Sequence, residues 1–207
     1  MSKALSKSLL ILVSAPSGGG KTTLCDLLLQ TLPNITRAVT STTRAPRPGE
    51  EHGRDYYFFT PEDFQRRVAA GEFVEHATVF GRSYGVLRSE LLDKLRSGKD
   101  VLLNIDVQGA ETIRDRAAAD PELSRALVSI FLTPASITEL EARLRRRNAD
   151  SEPEIQKRLA TARQELAHWK HFDYLVLSTS KEEDLRRALA IVEAEKMRGE
   201  RSHAPEF

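Results

Sequence analysis

The sequence has a single cysteine, Cys25, among 207 residues. A lone thiol excludes an internal disulfide and a cysteine-built zinc site. Its neighbours Leu24 and Leu27 favour a small buried side chain over a reactive one. Long apolar runs are also missing. None exceeds five residues, the length of Leu9 to Val13, far short of the roughly 20 residues that span a bilayer. The start, MSKALSKS, has two lysines and no long apolar region behind it, so a signal peptide is not expected. Neither sign of charge is in excess: 31 Lys+Arg face 30 Asp+Glu, for a net charge of +1. That balance gives no general reason to expect nucleic acid or a membrane as partner. A soluble protein of the reducing cytoplasm is the expectation.

What is present is an α/β pattern. Hydrophobic residues make up 40% and charged residues 29%, a globular composition. Buried-strand runs at Leu9 to Val13, Asp100 to Asp106, Ala126 to Leu132 and Tyr174 to Leu177 alternate with helical spacing at Thr22 to Leu32, from about Gln108, at Ser136 to Arg147 and at Glu152 to His168. Ser151 and Glu154 have capping-box spacing, and Ser180 caps a last helix. This order predicts a parallel sheet flanked by helices. The stretch 37–89 breaks the rhythm with the aromatic strand Tyr56 to Phe59, the capped helix start Thr60-Pro61, a strand at Phe73 to Phe80, a turn at Gly81 to Gly85 and a helix from Arg88. It reads as an insertion.

The decisive stretch is Ala15-Pro16-Ser17-Gly18-Gly19-Gly20-Lys21-Thr22-Thr23. It matches the phosphate loop G-x-x-x-x-G-K-[ST] except that Ala15 holds the first glycine position. Glycines let successive backbone N–H groups surround phosphate oxygens, and the helix that follows points its positive end there. Lys21 can reach the β- and γ-phosphates, and the Thr22 hydroxyl can ligate Mg²⁺. A glycine run alone reads as a flexible turn; the strand before it and the helix after it supply the context the motif requires. Asp106 ends a buried strand, where an acid can hold Mg²⁺ directly or through water, or bind a substrate donor. Thr40 to Glu50 concentrates hydroxyls and two arginines, Arg44 and Arg47. Two guanidinium forks can grip a dianionic phosphate, although the segment by itself reads equally well as a solvated loop.

Together these pieces resemble guanylate kinase. The matching stretches are SAPSGGGKTT at 14–23, TSTTRAPRPGE at 40–50, HGRDYYF at 52–58, GEFVEHA at 71–77, SYG at 83–85 and NIDVQGA at 104–110, then RLRRRNADSE, IQKRL and AHW. The resemblance covers about residues 8–198. It implies transfer of the γ-phosphoryl group of ATP to GMP, with Mg²⁺ as cofactor and dGMP as a further acceptor. It implies a core at about 8–36, 90–135 and 161–198, an inserted GMP-binding lobe of mixed strands at 37–89, a helical lid at 136–160 and a polar tail at 199–207. By position, Thr40, Arg44, Arg47, Tyr56 and Tyr84 match phosphate-holding residues. Glu75 matches the acceptor for guanine N1–H and the 2-amino group, with Gly85, Val86 and Asp106 beside it. Arg143, Arg147 and Arg158 match lid arginines, and Ser178 lies at the ATP adenine. Arg145 and Arg146 read as solvated.

Four positions depart from the family's pattern. Thr40 stands for serine, Val86 for serine or threonine, Asn104 for an acid, and Ser178 for asparagine. Val86 favours a different acceptor, which Glu75, Tyr56 and Tyr84 oppose. A non-catalytic guanylate-kinase-like binding module is a third reading, opposed by Lys21, Thr22 and Asp106. The oligomeric state is left open.

Overall fold

The computed structural model describes residues 8–146 and 151–201. The chain runs β1 (Leu10–Ser14), α1 (Lys21–Thr31), β2 (Ile35–Arg37), β3 (Ser41–Thr42), β4 (Tyr57–Phe58) and α2 (Pro61–Ala69). It continues through β5 (Phe73–Val79), β6 (Arg82–Leu87), α3 (Arg88–Arg96), β7 (Asp100–Asn104), α4 (Val107–Ala118) and α5 (Pro121–Ala126). Last come β8 (Leu127–Pro134), α6 (Ile137–Arg146), α7 (Glu152–Leu166), β9 (Tyr174–Ser178) and α8 (Lys181–Met197).

The main sheet has the order β2-β7-β1-β8-β9, and its strands pair parallel. Leu10 and Leu12 pack on one face with Leu103 and Phe131; Leu9, Ile11 and Val13 pack on the other with Leu28 and Ile130. Both faces are covered, which is why the β1 run is apolar without alternation. Cys25 is fully buried in the second of these clusters, and burial pushes its thiol up to about 12. It is therefore a protonated core side chain at neutral pH. None of the described helices is long and apolar enough to cross a membrane.

A second sheet has the order β4-β3-β6-β5. It is mixed: β3 and β4 run parallel, and the other pairs are antiparallel. Its own small core is Phe64, Phe73 and Leu87. Another small cluster, Leu144, Ile155 and Leu159, joins α6 to α7.

Three expectations are corrected here. The turn predicted at Gly81 to Gly85 is only Phe80-Gly81, both at positive φ (48° and 72°), and Arg82 onward is strand β6. Two consecutive positive φ values close a two-residue hairpin, so the β-forming residues Tyr84, Val86 and Leu87 pair with β5. The second correction is α5, an unpredicted helix. Asp120 caps it by accepting from Glu122 and Leu123 N–H, and Pro121 takes the first turn. The aromatic strand also shortens to Tyr57–Phe58.

Buried Glu90 on α3 holds the second sheet to the core. It accepts from Val39 N–H at 2.8 Å and from the Tyr57 hydroxyl at 2.9 Å. Glu90→Ala leaves both donors unpaired. It is expected to lower unfolding free energy by about 2 kcal/mol in a urea titration.

Candidate active site

The phosphate loop leaves the carboxyl end of β1 and opens α1. Gly20, the residue before the helix, has φ 100°, a left-handed conformation costly for any residue with a Cβ. No side chain caps α1 and its first turn has no acid, so its N-terminal N–H groups and dipole suit an anionic ligand. Ala15 is buried against the core, which explains why a methyl group is tolerated at the first loop position. Pro16, Ser17, Gly18, Gly19, Thr22 and Thr23 line one cavity of about 330 Å³ with Lys21 and Glu165. Lys21 Nζ donates to Ile105 C=O at 2.9 Å. Burial lowers the pKa of Lys21, and the nearby charge of Asp106, then that of Glu165, opposes that shift.

Strand β7 lies beside β1, so its carboxyl end brings Asn104 and Asp106 to the loop. Asn104 Nδ2 donates to Thr22 Oγ1 at 3.4 Å. Asp106 Oδ1 accepts Gly109 N–H at 2.8 Å and caps α4. The cap fixes the carboxylate's direction. Asp106 thus also has a structural job, which its place at the end of a strand does not reveal.

The second sheet gathers the other predicted residues. Arg44 Nη2 donates to both oxygens of Glu50, at 2.8 and 2.9 Å, and Nη1 donates to Ala45 C=O. Glu50 Oε2 also accepts Arg47 N–H at 2.8 Å. A tight turn makes this possible: Pro48 and Gly49 occupy its centre, Gly49 has φ 87°, and Glu50 N–H donates to Arg47 C=O at 3.0 Å. The Arg44 guanidinium lies 5.3 Å from the Tyr56 ring and 5.9 Å from the Phe58 ring. Tyr84 stands edge-on to Tyr56 at 6.5 Å. The hydrogen bond to Glu50 raises the Arg44 pKa. Thr40 is half-buried one residue before β3, whereas Arg47 is exposed. Glu50 is a site residue that the sequence signals only through its Pro-Gly-Glu turn.

Glu75 on β5 pairs with Val86 on β6, after a register shift between Phe73 and Glu75. Burial, then the charge of Asp106, raises its carboxyl to about 7, with Arg116 acting in the opposite direction. Gly85 pairs with Ser41 and His76. Val86 is buried in the core, with no polar atom to offer a ligand from its side chain.

On the other side of the loop, a cavity of about 620 Å³ is lined by Gly18, Gly20, Arg143, Arg146, Ser178 and Asp184, among others. Arg143 donates to Ser178 Oγ at 2.9 Å, to Ser178 C=O at 3.2 Å and to Glu139 at 2.6 Å. Ser178 Oγ in turn donates to buried Asp184 at 2.6 Å. Its hydroxyl is therefore already engaged on both sides. Arg146, which read as solvated, lines this cavity. Arg145 is ion-paired with Glu141 and Glu152, in keeping with a solvated role. Arg158 is exposed on α7. Arg147 lies outside the described residues.

Comparison with known proteins decides the family. A family model described as guanylate kinase matches residues 7–195. The chain belongs to the guanylate kinase family. A curated guanylate kinase of Paramagnetospirillum magneticum is 44% identical over 195 residues, covering 94% of this chain and 88% of that protein. One from Coxiella burnetii is 42% identical over 193 residues, covering 93% and 90%. The crystal structure of guanylate kinase from Anaplasma phagocytophilum superposes with a TM-score of 0.68 at 36% identity, covering 96% of this chain and 90% of that one.

Proposed function

We infer that this guanylate kinase family member transfers the γ-phosphoryl group of ATP to GMP, giving ADP and GDP. The observation that carries the reading is the place of Asp106. It caps α4 beside the phosphate loop, and Arg116 on the same helix donates to Phe73 C=O on β5, two residues before Glu75, so the two half-sites adjoin. ATP phosphates take the loop 15–23, with adenine in the cavity beside Ser178 and Arg143. The GMP phosphate takes Arg44, Arg47, Thr40, Tyr56 and Tyr84. Its guanine presents two adjacent donors to Glu75, an acceptor when ionised. Adenine lacks that pair and would leave Glu75 without partners. dGMP meets the same groups and serves as a second acceptor.

The GMP oxygen needs no general base, because a phosphate monoester has a second pKa of about 6 and is already anionic at pH 7. Alignment and charge neutralisation carry the reaction. Lys21, Arg143, Arg147 and Arg158 supply positive charge around the transferring group. Mg²⁺ fits the donor set, since the Thr22 hydroxyl and the Asp106 carboxylate are hard oxygen ligands on adjoining elements. Mg²⁺ is ordinarily held by one or two carboxylates plus substrate phosphates, so Asp106, directly or through water, and Thr22 would hold it. When bound, it neutralises charge on the β- and γ-oxygens. The lobes at 37–89 and 136–160 close over the substrates and exclude water. The protein acts in the cytoplasm.

A coupled assay of ADP formation tests the acceptor. With ATP and Mg²⁺, GMP and dGMP are expected to turn over far faster than AMP, CMP or UMP. Equal turnover of AMP and GMP would remove Glu75 from base recognition.

A further inference from the structure

The carboxylate of Glu165 has no part in the reading above, yet it stands at the phosphate loop. Its Oε2 accepts Ser17 N–H at 3.1 Å, across 148 residues of sequence. It lines the same cavity as the glycines, Lys21 and Thr22. It comes from the last turn of α7, whose first turns pack against α6 through Ile155, Leu159 and Leu144. Arg158 precedes Glu165 by seven residues on that helix. Two helical turns place both on one face, roughly 10 Å apart along the axis. One rigid helix therefore carries a cation assigned to the transferring phosphoryl group and an anion bonded to the loop.

An acid beside a cradle for polyphosphate is unfavourable on charge alone. Its geometry offers a compensating role. The bond to Ser17 N–H adds an anchor from α7 to the tip of the glycine-rich loop. It also ties that tip to the element that moves when the segment 136–160 closes. We propose that Glu165 is a positioning residue that couples α7 to the phosphate loop, so that lid closure and phosphate grip occur together. This rests on the reading of 136–160 as a lid over ATP.

The role requires reach and an acceptor oxygen, not charge. Glu165→Gln keeps both, whereas Glu165→Asp keeps the charge and is one methylene short. Glu165→Asp is expected to raise the ATP KM at least tenfold and lower kcat, with the GMP KM unchanged. Glu165→Gln is expected to stay within about threefold of the parent in both. Trp169, the only tryptophan of the sequence, follows α7 directly and is 40% exposed. Its fluorescence therefore reports α7 independently of turnover. The Trp169 response to ADP should shift to tenfold higher nucleotide in Glu165→Asp and stay in place in Glu165→Gln.

Normal ATP KM and an unshifted Trp169 titration in Glu165→Asp would overturn the proposal. So would a Gln variant as impaired as the Asp variant, because charge rather than reach would then matter. A parent enzyme whose Trp169 does not respond to ADP while ATP and GMP turn over normally would instead remove the lid reading.

Discussion

Replacing Lys21 with alanine is expected to lower kcat by roughly 10²–10³-fold while the GMP KM stays within about threefold. Lys21 follows Gly20 at the start of α1, and its ammonium is partly buried and bonded to Ile105 C=O at 2.9 Å. Burial alone would favour loss of the proton. The negative charge of Asp106 is the first to oppose that. On the proposed reading the γ-phosphate adds more negative charge on binding, so the lysine meets the transferring group as a cation. An ammonium with little bulk water around it is worth far more to a charged transition state than one in solution. Steady-state rates with saturating ATP and GMP, together with a melting curve to show that the fold survives, read this out. Turnover within threefold of the parent would remove Lys21 from the mechanism.

The second large effect concerns Glu75. Its carboxyl is raised to about 7 by burial and by Asp106. Guanine N1–H and the 2-amino group need an ionised acceptor, so GMP binding favours loss of that proton. GMP affinity should therefore rise with pH through about 7, with proton release on binding below that value. Glu75→Gln loses a charge-assisted pair of bonds. It should raise the GMP KM by roughly 30-fold, about 2 kcal/mol, leave the ATP KM unchanged, and flatten the pH dependence near 7.

Stability moves the other way. The unfolded carboxyl titrates near its ordinary value of 4.5 and the folded one near 7. The folded state therefore carries no penalty below the unfolded pKa, and the penalty grows as pH rises until it is complete above the folded pKa. Glu75→Gln should melt higher than the parent at pH 8, by roughly 4 °C, and at the same temperature at pH 4. On the proposed reading, this burial penalty is retained for guanine recognition. An unchanged GMP KM, or equal melting at pH 8, would contradict this.

The parts legible in the sequence were those set by local pattern. The loop 15–23, the buried β1 run and the caps at Thr60 and Ser180 each depend on neighbours within a few residues. Strand β6 was not legible, because Gly81 precedes it, Gly85 interrupts it, and glycines suggest a turn. In the fold only Phe80-Gly81 turns, while Gly85 lies inside the strand pairing. Asp106 was legible as a strand-end acid, but its cap on α4 requires knowing where the next helix begins. Glu165 and Asp184 were invisible for a different reason. Each acts through a fold-dependent contact, on Ser17 N–H and on Ser178 Oγ, that no periodicity encodes. Ser178 shows the converse. Position alone placed it at the adenine, whereas its hydroxyl is taken up by Arg143 and Asp184. Any contact it makes to the donor base comes from its backbone or requires those bonds to rearrange.

The most direct measurement follows the phosphoryl group itself. The protein is incubated with Mg²⁺, GMP and ATP labelled at the γ-phosphorus, and the products are separated. The label should appear in the β-phosphate of GDP in equal amount to the ADP formed, with little in inorganic phosphate. Label recovered only as inorganic phosphate, or no ADP at all in the presence of GMP, would contradict the assignment of this chain as an ATP:GMP phosphotransferase.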